Sequence, residues 1–215
     1  MKSKYIQYGC GWYQPYVPKS WRNFDASPTL LFERIPLIGK LYVKNQTRFP
    51  DNVEYGDIVE GLPVDSNSCK AVYCSHVLEH LALDELRKAL FNTFKILMPG
   101  GTFRFVMPDL EYYISLYLED DSNISSINFM RNTLLGLEHR DRGIKNFFMD
   151  WLSNSKHLWM WDYDSILHEL DKVGFVNVRR AMFSDFSEPM FSDVEFQERW
   201  ENCLGVECNK PPTSN

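Results

Sequence analysis

The sequence predicts an α/β domain built on a mostly parallel sheet of seven-strand type, with helices on both faces and a helical cap inserted at about residues 109–160. Three features carry that expectation. Short apolar, β-branched runs alternate with amphipathic helical stretches, the pattern of repeated βα units. Residues 70–107 read as strand, helix, Pro-Gly-Gly turn and strand, a right-handed βαβ unit. Glycines and an aspartate end the first two apolar runs, where ligands of such sheets bind.

Taken in order, KYIQY (4–8) is a strand running into Gly9-Cys10-Gly11, and WRNFD (21–25) is a second, after a loop holding Pro15 and Pro18. A helical piece spans 29–42 and breaks near Pro36, and VEYGDI (53–58) is a third strand. KAVYCS (70–75) is apolar enough to be buried on both faces. Asp84 is placed to cap a helix running to about Leu97, with Leu86, Ala89, Leu90, Phe94 and Leu97 on its apolar side. Met98-Pro99-Gly100-Gly101 ends that helix, and TFRFVM (102–107) is the next strand. The cap then interrupts the alternation with three aromatic helical segments, DLEYYISLYL, NFMRNTLLGL and KNFFMDWL. YDSILHELDKV (163–173) is a helix capped by Gly174, FVNVRR (175–180) a strand, and NCLGVE (202–207) the last strand.

With 215 residues, 44% of them hydrophobic and 24% charged, the chain is expected to fold as one globular domain over 1–215. A net charge of −6 gives no basic footprint, so no nucleic-acid partner is expected. No run approaches the ~20 apolar residues that span a bilayer, and the N-terminus lacks a signal-type apolar core. Cys10, Cys69, Cys74, Cys203 and Cys208 are odd in number and lack paired spacing, which suits free thiols in a reducing, cytoplasmic compartment. Oligomeric state is not readable from the sequence.

Gly9 and Gly11 leave room where a Cβ would keep a ligand away from the backbone. Asp25 ends the second strand, where a carboxylate can accept both hydroxyls of a ribose. A lone glycine pair is as often an ordinary turn, and a lone strand-end aspartate is usually a cap; together they favour a ligand. Asp57 and Ile58 could meet an adenine through its amine and its face, although singly each is more often structural.

YGCG with NFDASP, GDIVEGLPVDSNS, VYCSHVLEHL and ILMPGGTFRFVMPD, with HLWMWDYDSILHELDKVGF and LGVEC, give the chain its likeness. It resembles the Rossmann-like class I methyltransferases of the "type 11" kind, including a branch associated with glycan biosynthesis. The resemblance implies S-adenosylmethionine as cofactor. Gly9, Cys10 and Gly11 would approach its methionine part, Asp25 its ribose, Asp57 and Ile58 its adenine, and Ser75 and His76 would border the sulfonium. It implies methyl transfer to a saccharide hydroxyl or another small-molecule acceptor. Three departures stand out. Gln7 replaces an acid two residues before the first glycine, the stretch from Gly11 to Asp25 is short for a full helix, and Cys69-Lys70 stand where Phe-Asp is usual. Gln7 and the short first loop make a cofactor-binding module without turnover the alternative.

HVLEH, residues 76–80, also matches the inverted zinc-protease pattern of two imidazoles beside a glutamate. A zinc site needs a third protein ligand, and nothing downstream marks one, so no metal is expected and a zinc hydrolase is the lesser alternative. For the acceptor side, His157 in KHLWMWDYD is expected to serve as general base or acceptor anchor, with His139 in EHRDRGIK as second choice. A neutral imidazole can take a hydroxyl proton near pH 7. Trp159 and Trp161 flank His157 and could wall off water; the plainer reading packs His157 against one of them. The cap aromatics Tyr112, Tyr113, Tyr117, Phe147, Phe148 and Trp151 could stack on a sugar, though any one of them is more simply cap core.

Overall fold

The computed structural model describes residues 4–36, 48–138 and 156–213. Seven strands make one sheet: β1 (Tyr5–Tyr8), β2 (Arg22–Asp25), β3 (Val53–Tyr55), β4 (Cys69–Ser75), β5 (Leu97–Pro108), β6 (Val176–Ala181) and β7 (Cys203–Asn209). Their spatial order is β3-β2-β1-β4-β5-β7-β6. The first five strands run parallel, and β7 lies antiparallel between β5 and β6. The helices are α1 (Pro28–Arg34), α2 (Leu83–Ile96), α3 (Leu110–Glu119), α4 (Ser125–Asn132) and α5 (Tyr163–Val173).

Side chains alternate across a strand, so parity assigns the faces. Ile6, Phe24, Val72, Cys74, Phe103 and Phe105 lie on one face and join Leu86, Ala89 and Leu90 of α2 and Ile166 and Leu170 of α5 in the main core. Each such side chain contributes about 1.5–3 kcal/mol when fully buried. The opposite face carries Gln7, Asn23, Tyr73 and Arg104. On that side the described residues hold one helix, α1, at the β2–β3 edge. Its Leu30 packs with Val17, Phe49 and Val53. The loop after β1 forms only a 3-10 turn, Gln14–Tyr16. Pro15 and Pro18 each lack an amide donor and disfavour a longer helix in so short a span.

The centre of that face is covered by the β6–β7 connection. Two 3-10 turns, Pro189–Asp193 and Gln197–Arg199, bring Phe191 and Val194 onto Trp21, Ala71 and Tyr73. The connection is bolted down by Arg104, which is fully buried. Its guanidinium bonds Glu195, Asp185 at 2.9 Å, Glu207 at 3.0 Å and the Met182 carbonyl at 2.7 Å. A buried cation needs such partners, and removing it would strand several carboxylates at a cost of about 3–5 kcal/mol.

Other boundaries shift for local reasons. The residue capping α2 is Ala82 and not Asp84, because the Ala82 amide donates to Glu85 Oε2 at 2.8 Å. The Pro-Gly-Gly sequence lies inside β5, where the register jumps from Cys69↔Leu97 to Ala71↔Thr102; a bulge absorbs Gly100 at φ +76°. The second cap segment gives α4, which ends at Asn132, while KNFFMDWL lies outside the described residues. α5 matches its expected span, with Asp162 accepting the Ser165 amide at 2.7 Å and Gly174 closing it at φ +100°. After the cap, Trp161 pairs with Asp109 just beyond β5, which returns the chain to the carboxyl end of the sheet.

Candidate functional site

The carboxyl ends of β1 and β2 form a small cradle. Gly9 has φ +65° and Gly11 φ +68°. A Cβ on Gly9 would fall 2.2 Å from Val77 Cγ2, so glycine there lets the loop close on the turn after β4. A Cβ on Gly11 would meet nothing within 4 Å, which leaves open space before it. The Gly11 amide donates to Asp25 Oδ2 at 2.9 Å, and the Ser27 amide donates to Oδ1 at 2.8 Å. Burial raises the Asp25 pKa, while both amides pull it down. Each carboxylate oxygen keeps a further lone pair for a ligand. The Cys10 amide donates to the Phe24 carbonyl at 3.2 Å, and its thiol is buried with Val17 and Leu30, where burial pushes the thiol pKa up.

Gln7 explains one departure from the family pattern. Its Nε2 donates to the Tyr16 carbonyl at 2.5 Å and to Asn23 Oδ1 at 2.6 Å. A carboxylate at this position has no proton to donate and would face two oxygens. The amide therefore belongs to the shortened loop, which it ties to β2.

Ser75 and His76, after β4, are held by a residue the sequence did not single out. Arg199 donates from Nε to Ser75 Oγ at 2.6 Å and from Nη2 to the Ser75 carbonyl at 2.8 Å. Its guanidinium lies over the Tyr16 ring, 5.3 Å from the centroid. Together Gln7, Gly9, Cys10, Tyr16, Ser75 and Arg199 border a small cleft. His76 sits at φ +55°, with Nδ1 3.2 Å from Glu79 Oε1 and Nε2 3.0 Å from the Arg199 carbonyl. Both ring nitrogens face acceptors. Burial lowers its pKa, but the contacts with Cys203, Glu79 and the Arg199 carbonyl outweigh it and raise the value to about 10.

The remaining expected residues are placed as follows. Asp57 Oδ1 accepts the Val59 amide at 2.8 Å in a turn after β3. Ile58 belongs to the main core with Phe24 and Leu62 and is 4% exposed, so its side chain lies inward instead of offering a surface to an adenine. His139 lies outside the described residues. His157 is absent from the lining of the pocket beside Gly9. It stands instead by the 3-10 turn Leu78–His80, its ring centroid 5.0 Å from that of His80. The amides of Leu158 and Trp159 both donate to the Glu79 carbonyl, at 2.8 and 3.1 Å, which fixes this approach. His157 is 9% exposed, and burial first, then His80, hold its pKa below the ordinary value against the pull of Glu79. Trp161 is buried in the core, and Trp159 remains exposed. His76 and His80 do not share a helical face. A third candidate donor beside Glu79 and His80 is nevertheless present in His157, contrary to the expectation that none exists.

Residues 23–105 match a family model described as "Methyltransferase domain". No curated protein sequence matches the chain. Among solved structures, a SAM-dependent methyltransferase of Thermotoga maritima superposes with a TM-score of 0.51 at 15% identity, covering 98% of this chain and 83% of that one. A methyltransferase of Haloferax volcanii, solved in complex with the Trm112 methyltransferase activator, gives 0.51 at 14% identity, covering 100% and 86%. A SAM-dependent methyltransferase of Archaeoglobus fulgidus gives 0.51 at 12% identity, covering 97% and 86%. At these identities the likeness is one of fold. The chain carries a methyltransferase-domain pattern over residues 23–105, on the fold of the S-adenosylmethionine-dependent methyltransferases.

Proposed function

We propose that the protein binds S-adenosylmethionine in the Gly9–Asp25 cradle and methylates a hydroxyl of a saccharide or other small-molecule acceptor. The observation that carries this reading is the Asp25 carboxylate, clasped by the Gly11 and Ser27 amides with open space in front of Gly11. That arrangement fits a ribose diol, which needs acceptors at a strand end and no intervening Cβ. In the pocket beside Gly9, Arg199 offers a cation suited to the carboxylate of the methionine part. The Gln7 amide is committed to Tyr16 and Asn23, so it leaves the methionine amine without a charged partner there.

When bound, the cofactor supplies a methyl group already activated by its sulfonium. The chain's contribution is then mainly to hold two reactants in line, since well-oriented groups gain about 7–11 kcal/mol over free encounter. Trp12, Tyr13 and Trp159 present exposed rings on loops beyond the carboxyl ends of the strands, surfaces on which a sugar can stack. The net charge of −6 does not suit a polyanionic acceptor. Among the described residues no helix is long and apolar enough to cross a membrane.

The test is transfer of label from methyl-labelled cofactor to a panel of saccharides, nucleotide sugars, small alcohols and amines. Labelled ether products are expected. Labelling confined to amines would overturn the hydroxyl acceptor, and cofactor binding with no labelled product from any acceptor would overturn the reading as an enzyme.

A further inference from the structure

We infer that Glu79, His80 and His157 form a site for one divalent transition-metal ion of the zinc type. One donor atom from each residue lies within 4.8 Å of the other two. Glu79 is 1% exposed, so its carboxylate is shut off from solvent. Oε1 stands 3.2 Å from His76 Nδ1 as an ion pair; Oε2 has no partner. His157 Nδ1 is also buried without one. A buried polar atom left without a partner destabilises the fold, and a charged one more so. Two such atoms converging with a second imidazole mark a place where a cation satisfies all three.

The surrounding bonds prepare the ligands. His80 Nδ1 lies 2.8 Å from the Lys156 carbonyl, to which it donates, so Nε2 is left as the lone-pair nitrogen. In His157 the ring nitrogen left buried without a partner is Nδ1. Imidazoles that bind metal usually give their other N–H to a carbonyl or carboxylate in this way, which fixes tautomer and ring angle. His76 steadies the Glu79 carboxylate from behind. The Leu158 and Trp159 amides on the Glu79 carbonyl set the distance between the two chain segments.

Two imidazoles and one carboxylate are a zinc ligand set that leaves a fourth position open. With bonds of about 2.0–2.2 Å, tetrahedral donors stand roughly 3.3 Å apart, so the loaded site asks for side-chain movements of about 1 Å. Residues 76–80 carry part of this in HVLEH, but the partner of Glu79 and His80 is the imidazole that returns after the cap. None of the three ligands lies in the cofactor cradle, so cofactor affinity serves as an internal control.

The experiment uses the whole chain, freed of metal with a chelator, then titrated with Zn²⁺ by calorimetry and with Co²⁺ by absorbance. One equivalent is expected to bind, with a tetrahedral cobalt spectrum. His80→Ala and His157→Ala are each expected to weaken binding at least about 100-fold, with S-adenosylhomocysteine affinity within about twofold of wild type. Should either variant lose its circular-dichroism signature, histidine modification by diethyl pyrocarbonate decides on the wild-type chain, where Zn²⁺ is expected to protect His80 and His157. Absence of stoichiometric binding, folded variants that keep full affinity, or equal modification with and without Zn²⁺ would overturn the site.

Discussion

At position 7 a neutral amide stands where an acid is usual in the family that the chain resembles, and its geometry says why. Both protons of the Gln7 Nε2 group are used, one on the Tyr16 carbonyl and one on Asn23 Oδ1. Gln7→Glu would bury a charge against two oxygens, so a loss of about 3 kcal/mol or more is expected in urea unfolding. No gain in cofactor affinity should accompany it. Unchanged stability with tighter cofactor binding would show that the amide is not a structural tie. At this scale the sequence was informative where one side chain meets its near neighbours: that Gly11 and Asp25 stand side by side at the ends of β1 and β2 could be read directly. Arg199 could not, because the β6–β7 connection carries it to Ser75 from the far end of the chain. His157 was noticed for its chemistry, but its neighbours Glu79 and His80 reach it only through the backbone clamp on Glu79.

Among the elements, α2 and α5 share the main core and are joined at their rims by one ionic contact. Arg87 donates to both oxygens of Glu169 at 2.8 and 2.9 Å, and Lys172 adds a third bond at 2.9 Å. Arg87 first, then Lys172, hold the Glu169 pKa down to about 2 against the opposing effect of burial. The folded value lies below the unfolded one of about 4.3. The contribution of Glu169 is therefore present above pH ~4.3 and fades as pH falls towards 2. Wild type should lose more urea resistance across that window than Glu169→Gln, which cannot titrate there; parallel loss in the two proteins would remove Glu169 from the account. Strands and α5 were readable because their apolar period and Gly174 are local signals. The start of α2 was misplaced because Glu85 caps it through Ala82, an interaction that composition at the start of the helix does not reveal. The Pro-Gly-Gly sequence reads as a terminator in isolation, yet the neighbouring strand accommodates it as a bulge.

For the molecule as a whole, the missing helix after β1 changes how the cradle is closed. The β6–β7 connection takes over that face, anchored by Arg104 and its carboxylates, and its last turn places Arg199 at the pocket. No periodicity in residues 182–202 announces this, because the segment is held by side-chain packing and ion pairs and not by a regular helix. The cradle itself still follows the general rule that ligands bind beyond the carboxyl ends of the strands. Its central element is Asp25, which has two amides of the chain on it and lone pairs to spare. Losing a charged hydrogen-bond partner costs about 1.5–3 kcal/mol, which corresponds to roughly 10- to 150-fold in affinity. The decisive measurement is a calorimetric titration of S-adenosylhomocysteine into wild type and into Asp25→Ala of matched thermal stability. One-to-one binding to wild type, weakened by that factor in the variant, is the predicted result; no binding to wild type, or equal affinity in both, would contradict the account.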